Sequence, residues 1–144
     1  MKHVVIKWVL LLGSAVFLAG CCACRSFQTK TRRPLVGTEW QLIQLGGRNI
    51  RVDVEKFVLQ FAADGTVTGR GECNTLSGRY EAGKDNGLKI GPLASTLRAC
   101  PDGEETERAL AAALEATDRY DMDGPMLLLL SDGELQAVFQ AASE

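Results

Sequence analysis

Apolar and polar residues alternate in short segments along most of this chain, which is typical of β-strands with one face buried. Phe57, Leu59 and Phe61 share one face and are predicted to lie in a core, and Trp40 and Leu42 do so earlier in the chain. The same alternation predicts further strands near residues 66–68, 79–81, 88–90, 120–122 and 135–139. Glycine-containing turns separate these segments, which favours an antiparallel arrangement.

Two segments depart from this alternation. Residues 107–117 are rich in alanine and leucine at helical spacing, and Asp102 is the expected N-cap of the helix that they predict. The apolar stripe of this helix consists of Leu110, Ala113, Leu114 and Thr117. Residues 126–130 are apolar throughout and predict a strand buried on both faces. The expected fold is therefore mainly β (α+β): an antiparallel sheet of about eight short strands curled into an open barrel, with one packed helix.

The amino terminus follows a different pattern. Lys2 and Lys7 precede an uncharged run, residues 8–19. This run has the length of a signal-peptide core and is too short for a membrane span. Residues 18–21 (LAGC) close this run and resemble the lipobox of bacterial lipoproteins. The resemblance implies a signal peptide over residues 1–20 and acylation of the Cys21 sulfur and its new amino group. The alternative is an ordinary secretory leader in which Cys21 is incidental.

A basic segment separates this leader from an acidic domain. Residues 21–33 carry four cations and no acid, whereas all 18 acidic side chains lie from Glu39 onward. The basic segment is either a tether attracted to anionic lipid head groups or a polar linker with a few cations. The acidic domain, residues 34–144, has no aromatic residues interleaved with cations, so nothing indicates nucleic-acid binding.

The only histidine, His3, lies in the leader, so the mature chain contains no imidazole. This excludes serine–histidine and cysteine–histidine nucleophile pairs and histidine-ligated zinc. We therefore expect a protein that is not an enzyme and that carries no cofactor.

Four segments, in this order and spacing, carry a family resemblance. They are residues 35–42 (LVGTEWQL), 71–80 (GECNTLSGRY), 96–100 (TLRAC, with Glu107 seven residues later) and 120–124 (YDMDG). Together they resemble the META domain family, which includes a heat-inducible lipoprotein of Gram-negative envelopes. The resemblance covers residues 34–141. It implies a small antiparallel β-fold with a helix and a role in envelope stress or drug tolerance, without an established active site.

The cysteines leave several possibilities open. Cys73 and Cys100 lie beside two of these motifs, and in an oxidising periplasm they form either a disulfide, worth about 4 kcal/mol, or two packed thiols. Cys22 and Cys24, which depart from the family pattern, are free or link to another chain. Their spacing does not suit a zinc site with the other two.

Several polar residues and glycines are candidates for either a functional or a structural role. Asn74 is a ligand contact or, more in keeping with its type, an amide that fixes the turn ending at Gly78. Glu107 is a catalytic carboxylate or, as we favour, a helix-start residue that bonds a neighbouring loop. Gly71 indicates a bulge or a close backbone approach rather than a phosphate loop. Asp121, Asp123 and Asp132 are candidates for a calcium site, but we expect them to be turn residues of β-hairpins because their spacing does not resemble an EF-hand loop.

Three functions are therefore compared. The first is a non-enzymatic lipoprotein anchored in the outer membrane, facing the periplasm, that acts by binding or by supporting envelope integrity, with an envelope protein as its candidate partner. The resemblance to lipoproteins implies the outer membrane, because residue 22 is not the Asp that their sorting rule requires for retention in the inner membrane. The second is a lysozyme-inhibitor-like or pilotin-like binding module with an exposed cleft or a protruding loop near Ser95 and Thr96 or near Ser77. The third is a hydrolase that pairs Glu72 with Glu107, which requires one raised carboxyl pKa. The sequence identifies no small-molecule ligand.

Overall fold

The computed structural model describes residues 29–51, 55–99 and 101–142. Residues 29–31 are helical, and the remainder is one antiparallel sheet with one main helix. The elements are β1 (Glu39–Leu45), β2 (Arg48–Asn49), β3 (Val58–Phe61), β4 (Thr66–Arg70), β5 (Thr75–Ala82), a short 3₁₀-helix (Lys84–Asn86), β6 (Leu88–Ser95), α1 (Glu104–Ala116), β7 (Arg119–Asp123), β8 (Met126–Ser131) and β9 (Glu134–Ala141). The predicted fold class is confirmed.

The sheet curls into a barrel that stays open. The strand order is β6-β5-β4-β3-β1-β9-β8-β7, with β2 attached to β1. Its two outer strands, β6 and β7, approach each other where Gly87 bridges Arg119 and the Leu88 N–H donates to the Asp118 carbonyl at 3.0 Å. Past this point the strands diverge, and α1 packs against β6, β1 and β9. The helix thus covers the opening of the barrel.

The inward faces of the strands form one apolar core, as the alternation predicted. Phe57, Leu59 and Phe61 are buried, and so are Trp40 and Leu42. The four residues of the predicted apolar stripe of the helix are buried as well: Leu110, Ala113, Leu114 and Thr117. Area removed from water in this way contributes about 25 cal/mol per Å² of apolar surface, so this core is the main source of stability.

Two details of the predicted elements are wrong. The N-cap of α1 is Gly103, not Asp102, and no side chain caps this end. The helix starts there because the Glu107 N–H bonds the Gly103 carbonyl at 2.9 Å. The strand at 126–130 alternates instead of being buried on both faces: Leu127 and Leu129 are fully buried, whereas Leu128 is half-buried. A single curled sheet has no second layer over the outer face of this strand.

The chain places different features at the two ends of the barrel. Residues 29–38 lead in at one end, where Val36 bridges Phe61. Loop 71–74, between β4 and β5, lies at the opposite end, and so do residues 96–99, which follow β6, because β4 and β6 both run away from the first end. The five residues of β4 alone separate the ends by about 13 Å. No helix among the described residues is long and apolar enough to cross a membrane.

Candidate functional site

Glu107 lies in the first turn of α1, and its carboxylate reaches across to loop 71–74. The side chain is buried, with 8% of its surface exposed. Oε1 accepts hydrogen bonds from the backbone N–H of Cys73 at 2.7 Å and of Asn74 at 2.9 Å, and Oε2 accepts one from Asn74 Nδ2 at 2.7 Å. These charge-assisted bonds fix the loop to the helix.

Asn74 joins the same loop to the segment that follows β6. Its Oδ1 accepts from the Arg98 N–H at 2.7 Å and from Thr96 Oγ1 at 3.0 Å, while its Nδ2 also donates to the Arg98 carbonyl at 3.2 Å. The amide therefore uses both its donors and its acceptor. We call Cys73, Asn74, Thr96, Arg98 and Glu107 the clamp, because together they hold two loops and the helix start in one arrangement.

Gly71 leaves the space that Glu107 occupies. A Cβ on Gly71 would lie 2.4 Å from Glu107 Oε1 and 2.8 Å from its Cγ. Gly78 is also in close contact: a Cβ there would lie 2.9 Å from the Pro92 carbonyl, beside an irregularity in the β5–β6 register. Both glycines of the motif at 71–80 therefore permit close approach of neighbouring segments.

The pKa of Glu107 reflects these contacts. Burial raises it, but hydrogen bonds from the Asn74 side chain and from the backbone N–H groups of Cys73, Asn74 and Glu72 outweigh burial, so the pKa lies below its ordinary value. A general acid at neutral pH needs the opposite shift. The carboxylate is held as an anion by the donors around it, which suits a structural role.

We expect Glu107→Gln to destabilise the domain at pH 7 by about 1–3 kcal/mol, because the amide NH₂ would face donors and charge-assisted bonds would be lost. The contribution of the carboxylate is complete above its unfolded-state pKa of about 4.3 and disappears as pH falls through its lower folded-state pKa. The difference between wild type and variant in urea unfolding should therefore narrow at acidic pH. Glu105→Gln, an exposed change in the same turn, is the control. A difference that does not change with pH would contradict this assignment.

Glu72 and the cations beside loop 71–74 form a second cluster. Lys56 Nζ forms an ion pair with Glu72, and Arg70 Nε donates to the Glu55 carbonyl at 2.7 Å. They line a cleft of about 580 Å³ with Cys73 and Asn74. The hydrolase hypothesis needs Glu72 and Glu107 to act together. Glu72 is instead in an ion pair with Lys56, Glu107 is part of the clamp, and the pKa of Glu107 is not raised.

The other candidate residues are placed as follows. Asp121 accepts from the Met122 N–H at 2.8 Å, and Asp132 lies in a turn with a φ of 51°. In the described parts of the chain, no three histidine, cysteine, aspartate or glutamate residues are grouped so as to hold a metal ion. Cys21, Cys22, Cys24 and Cys100 lie outside the described residues.

The pairing of Cys73 with Cys100 stays a prediction. The clamp holds the Cys73 backbone to Glu107, and it holds Arg98, two residues before Cys100, to Asn74. The clamp therefore holds Cys73 and Arg98 in one hydrogen-bonded cluster.

The sequence did not assign contacts to Thr96 and Arg98. Both lie in the motif at 96–100, which was the available signal. Thr96 contacts Asn74 through its Oγ1, whereas Arg98 does so through its backbone N–H and C=O, which its residue type does not reveal. The structure also exposes the loop that they form: Leu97 has 98% of its surface in solvent. This is the place, next to Ser95, where the binding-module hypothesis expects a protruding loop.

The chain is similar to one protein family and to solved structures. Residues 33–144 match the model of the META domain. A solved structure of a DUF4847 family protein from Bacteroides vulgatus is 20% identical, with a TM-score of 0.59, covering 76% of this chain and 94% of that one. The NMR structure of a protein from Burkholderia xenovorans is 27% identical with a TM-score of 0.59, covering 76% of this chain and 85% of that one. No curated protein matches the chain.

Proposed function

This chain belongs to the META domain family, and from that premise we propose that it is a lipoprotein anchored by Cys21 in the bacterial outer membrane. Its domain faces the periplasm and acts by binding an envelope protein, in support of envelope integrity under stress, without catalysing a reaction. The leader and the lipobox at residues 18–21 support the anchor. Several acyl chains on one residue give a stable anchor that a single chain does not.

The arrangement of the barrel is the observation that carries this proposal. The tether joins the domain at the end where Val36 meets Phe61, and the clamp lies at the other end. A domain held by this tether would turn loop 71–74 and the segment at 96–99 away from the membrane surface. The exposed loops would then be accessible to proteins of the periplasm or the cell wall.

The chemistry at the clamp supports binding rather than catalysis. The Glu107 carboxylate is occupied by three hydrogen bonds, and its pKa is lowered. Glu72 is paired with Lys56. Both carboxylates thus stabilise loops, and an ordered loop with an exposed Leu97 suits recognition of another protein.

The exposure of Leu97 also favours a second candidate function. A fully exposed Leu97 on an anchored loop is the kind of protruding feature that a lysozyme-inhibitor-like or pilotin-like module would use. The two proposals share the anchor and the binding role and differ in whether the partner is inhibited or positioned.

The anchor is tested by replacing Cys21. We expect Cys21→Ala to release the protein into the soluble periplasmic fraction and to abolish incorporation of a labelled fatty acid, because the thiol that accepts the lipid is missing. Cys22→Ala is the matched control and should leave the protein in the membrane fraction. Continued membrane association of Cys21→Ala, or purified wild type that keeps Met1 and lacks added lipid mass, would contradict the anchor.

A further inference from the structure

After its contact with β7 at Leu88, the second edge of β6 pairs with no other strand among the described residues and faces α1. Along its other edge, β6 pairs with β5. The Leu93 N–H points the other way and donates to Glu115 Oε1 of α1 at 2.9 Å. Hydrogen-bonding direction alternates along a strand, so the N–H and C=O of Ser95 point toward the same side as those of Leu93. The Thr96 N–H returns to β5, where it donates to the Thr75 carbonyl at 3.1 Å.

Beyond Glu115 the gap between β6 and α1 widens into a cleft of about 530 Å³. Ser95 lies on its strand side, Arg108 and Ala111 lie on its helix side, and Leu76 is also part of its lining. Leu97, with 98% of its surface exposed, stands at its rim. We call Leu76, Ser95, Leu97, Arg98, Arg108 and Ala111 the β6–α1 groove.

A free strand edge opposite a helix is a geometry that binds extended peptides. The peptide adds a strand to the edge, so that backbone hydrogen bonds give affinity and alternate side chains enter the groove. The apolar atoms of Leu76 and Ala111 offer a surface for one such side chain. We propose that the β6–α1 groove binds an extended, acidic segment of a partner protein as an additional strand on β6.

The charges that line the groove favour an acidic segment. The Glu107 carboxylate is occupied in the clamp, and Glu104 forms an ion pair with Arg108. The Arg98 guanidinium has no ion-pair partner within the described residues. A carboxylate on the bound segment would therefore find a guanidinium without an ion-pair partner at Arg98, in the lining of the groove.

The same charges argue against the chain's own tether as the occupant. Residues 21–33 carry four cations and no acid, and residues 29–38 lead in at the opposite end of the barrel. A second molecule with an acidic extended segment fits the groove better on both counts.

The clamp prepares the groove for binding. Thr96 and Arg98 are bonded to Asn74 on either side of Leu97, so Leu97 is held in solvent by an ordered loop. Ordering a loop on association costs affinity, and here the clamp has ordered it already. This explains why a large apolar side chain is exposed at a position where the backbone is fixed.

Peptide binding by the purified protein tests the proposal, which rests on the proposed binding role but not on the anchor. A phage library of random heptapeptides is selected on the full chain in detergent, and an enriched peptide is synthesised for anisotropy measurements. We expect alternating apolar and acidic residues to be enriched. If the protein is soluble in cells and still binds these peptides, the lipid anchor is refuted and the proposed peptide binding stands.

Variants at Ser95 separate the backbone from the side chain. Ser95→Pro removes the outward N–H, a change that an edge strand tolerates, and we expect it to weaken binding about tenfold. Ser95→Ala keeps the N–H and should bind like wild type. Ala111→Arg, which fills the groove from the helix, gives a second measurement if Ser95→Pro disturbs folding. Arg98→Glu should shift the selected peptides from acidic to basic.

Any of three results would refute the proposal that the β6–α1 groove binds a peptide. One is selection that enriches no peptide above the level found with an unrelated protein. Another is an enriched peptide whose affinity is unchanged in both Ser95→Pro and Ala111→Arg. The last is peptide binding that requires removal of residues 21–33, which would identify the tether as the occupant.

Discussion

Leu129→Asp is expected to prevent the domain from folding. Leu129 is fully buried in β8, where it lies opposite Ala137 of β9 and Tyr120 of β7. A carboxylate at this position would have no partner, and burying an unpaired charge costs more than the total stability of about 5–15 kcal/mol that a small domain has. Far-UV circular dichroism and the amide dispersion of a proton NMR spectrum measure the outcome.

Leu128→Asp is the matched control, because it is the next residue on the same strand and is only half-buried on the outer face. We expect it to fold with a much smaller loss. A cooperative unfolding transition of Leu129→Asp at the wild-type midpoint would show that the assigned core face of β8 is wrong.

Gly71→Ala is expected to destabilise the domain by about 2–4 kcal/mol, because the clamp cannot keep its arrangement. The new Cβ would lie 2.4 Å from Glu107 Oε1, so either the carboxylate or loop 71–74 must move. Either movement disrupts the hydrogen bonds from Cys73 and Asn74. Chemical denaturation at pH 7 measures the loss.

A double-mutant cycle identifies the cause. Glu107→Ala removes the atoms that the new Cβ would meet, so Gly71→Ala should cost far less in that background than in the wild type. Gly83→Ala is the control, since Gly83 has a φ of −101° and the nearest atom to a Cβ there is 3.9 Å away. Strictly additive losses in the cycle would mean that the effect of Gly71→Ala comes from the backbone and not from Glu107.

The strands and the core could be predicted because their signal is local. Alternation fixed the inward faces of Trp40, Leu42 and Phe61, and glycine turns marked the hairpins between strands. Val58 departs from the alternation and is buried on the other face. Near it, Gln41 Nε2 donates to the Lys56 carbonyl at 2.6 Å, so the chain before β3 covers part of the outer face, which a pattern of neighbours in sequence does not encode.

The clamp could be predicted only in part. The motif at 71–80 and the position of Glu107 marked the right residues, and their chemistry favoured a structural role. The partners could not be deduced, because Asn74 and Glu107 are 33 residues apart and meet through the barrel's curvature. The contacts to Arg98 use its backbone N–H and C=O, for which any residue type would serve.

The first and the last strand of the domain are neighbours in the sheet, and this has a consequence for its evolution. Trp40 pairs with Ala141, and the Ala142 N–H donates to the Glu39 carbonyl at 2.9 Å. A unit whose first and last strands adjoin can be spliced into a surface loop of a host protein without stretching that host, or repeated in tandem through short linkers. The architecture therefore suits modular reuse within larger polypeptides.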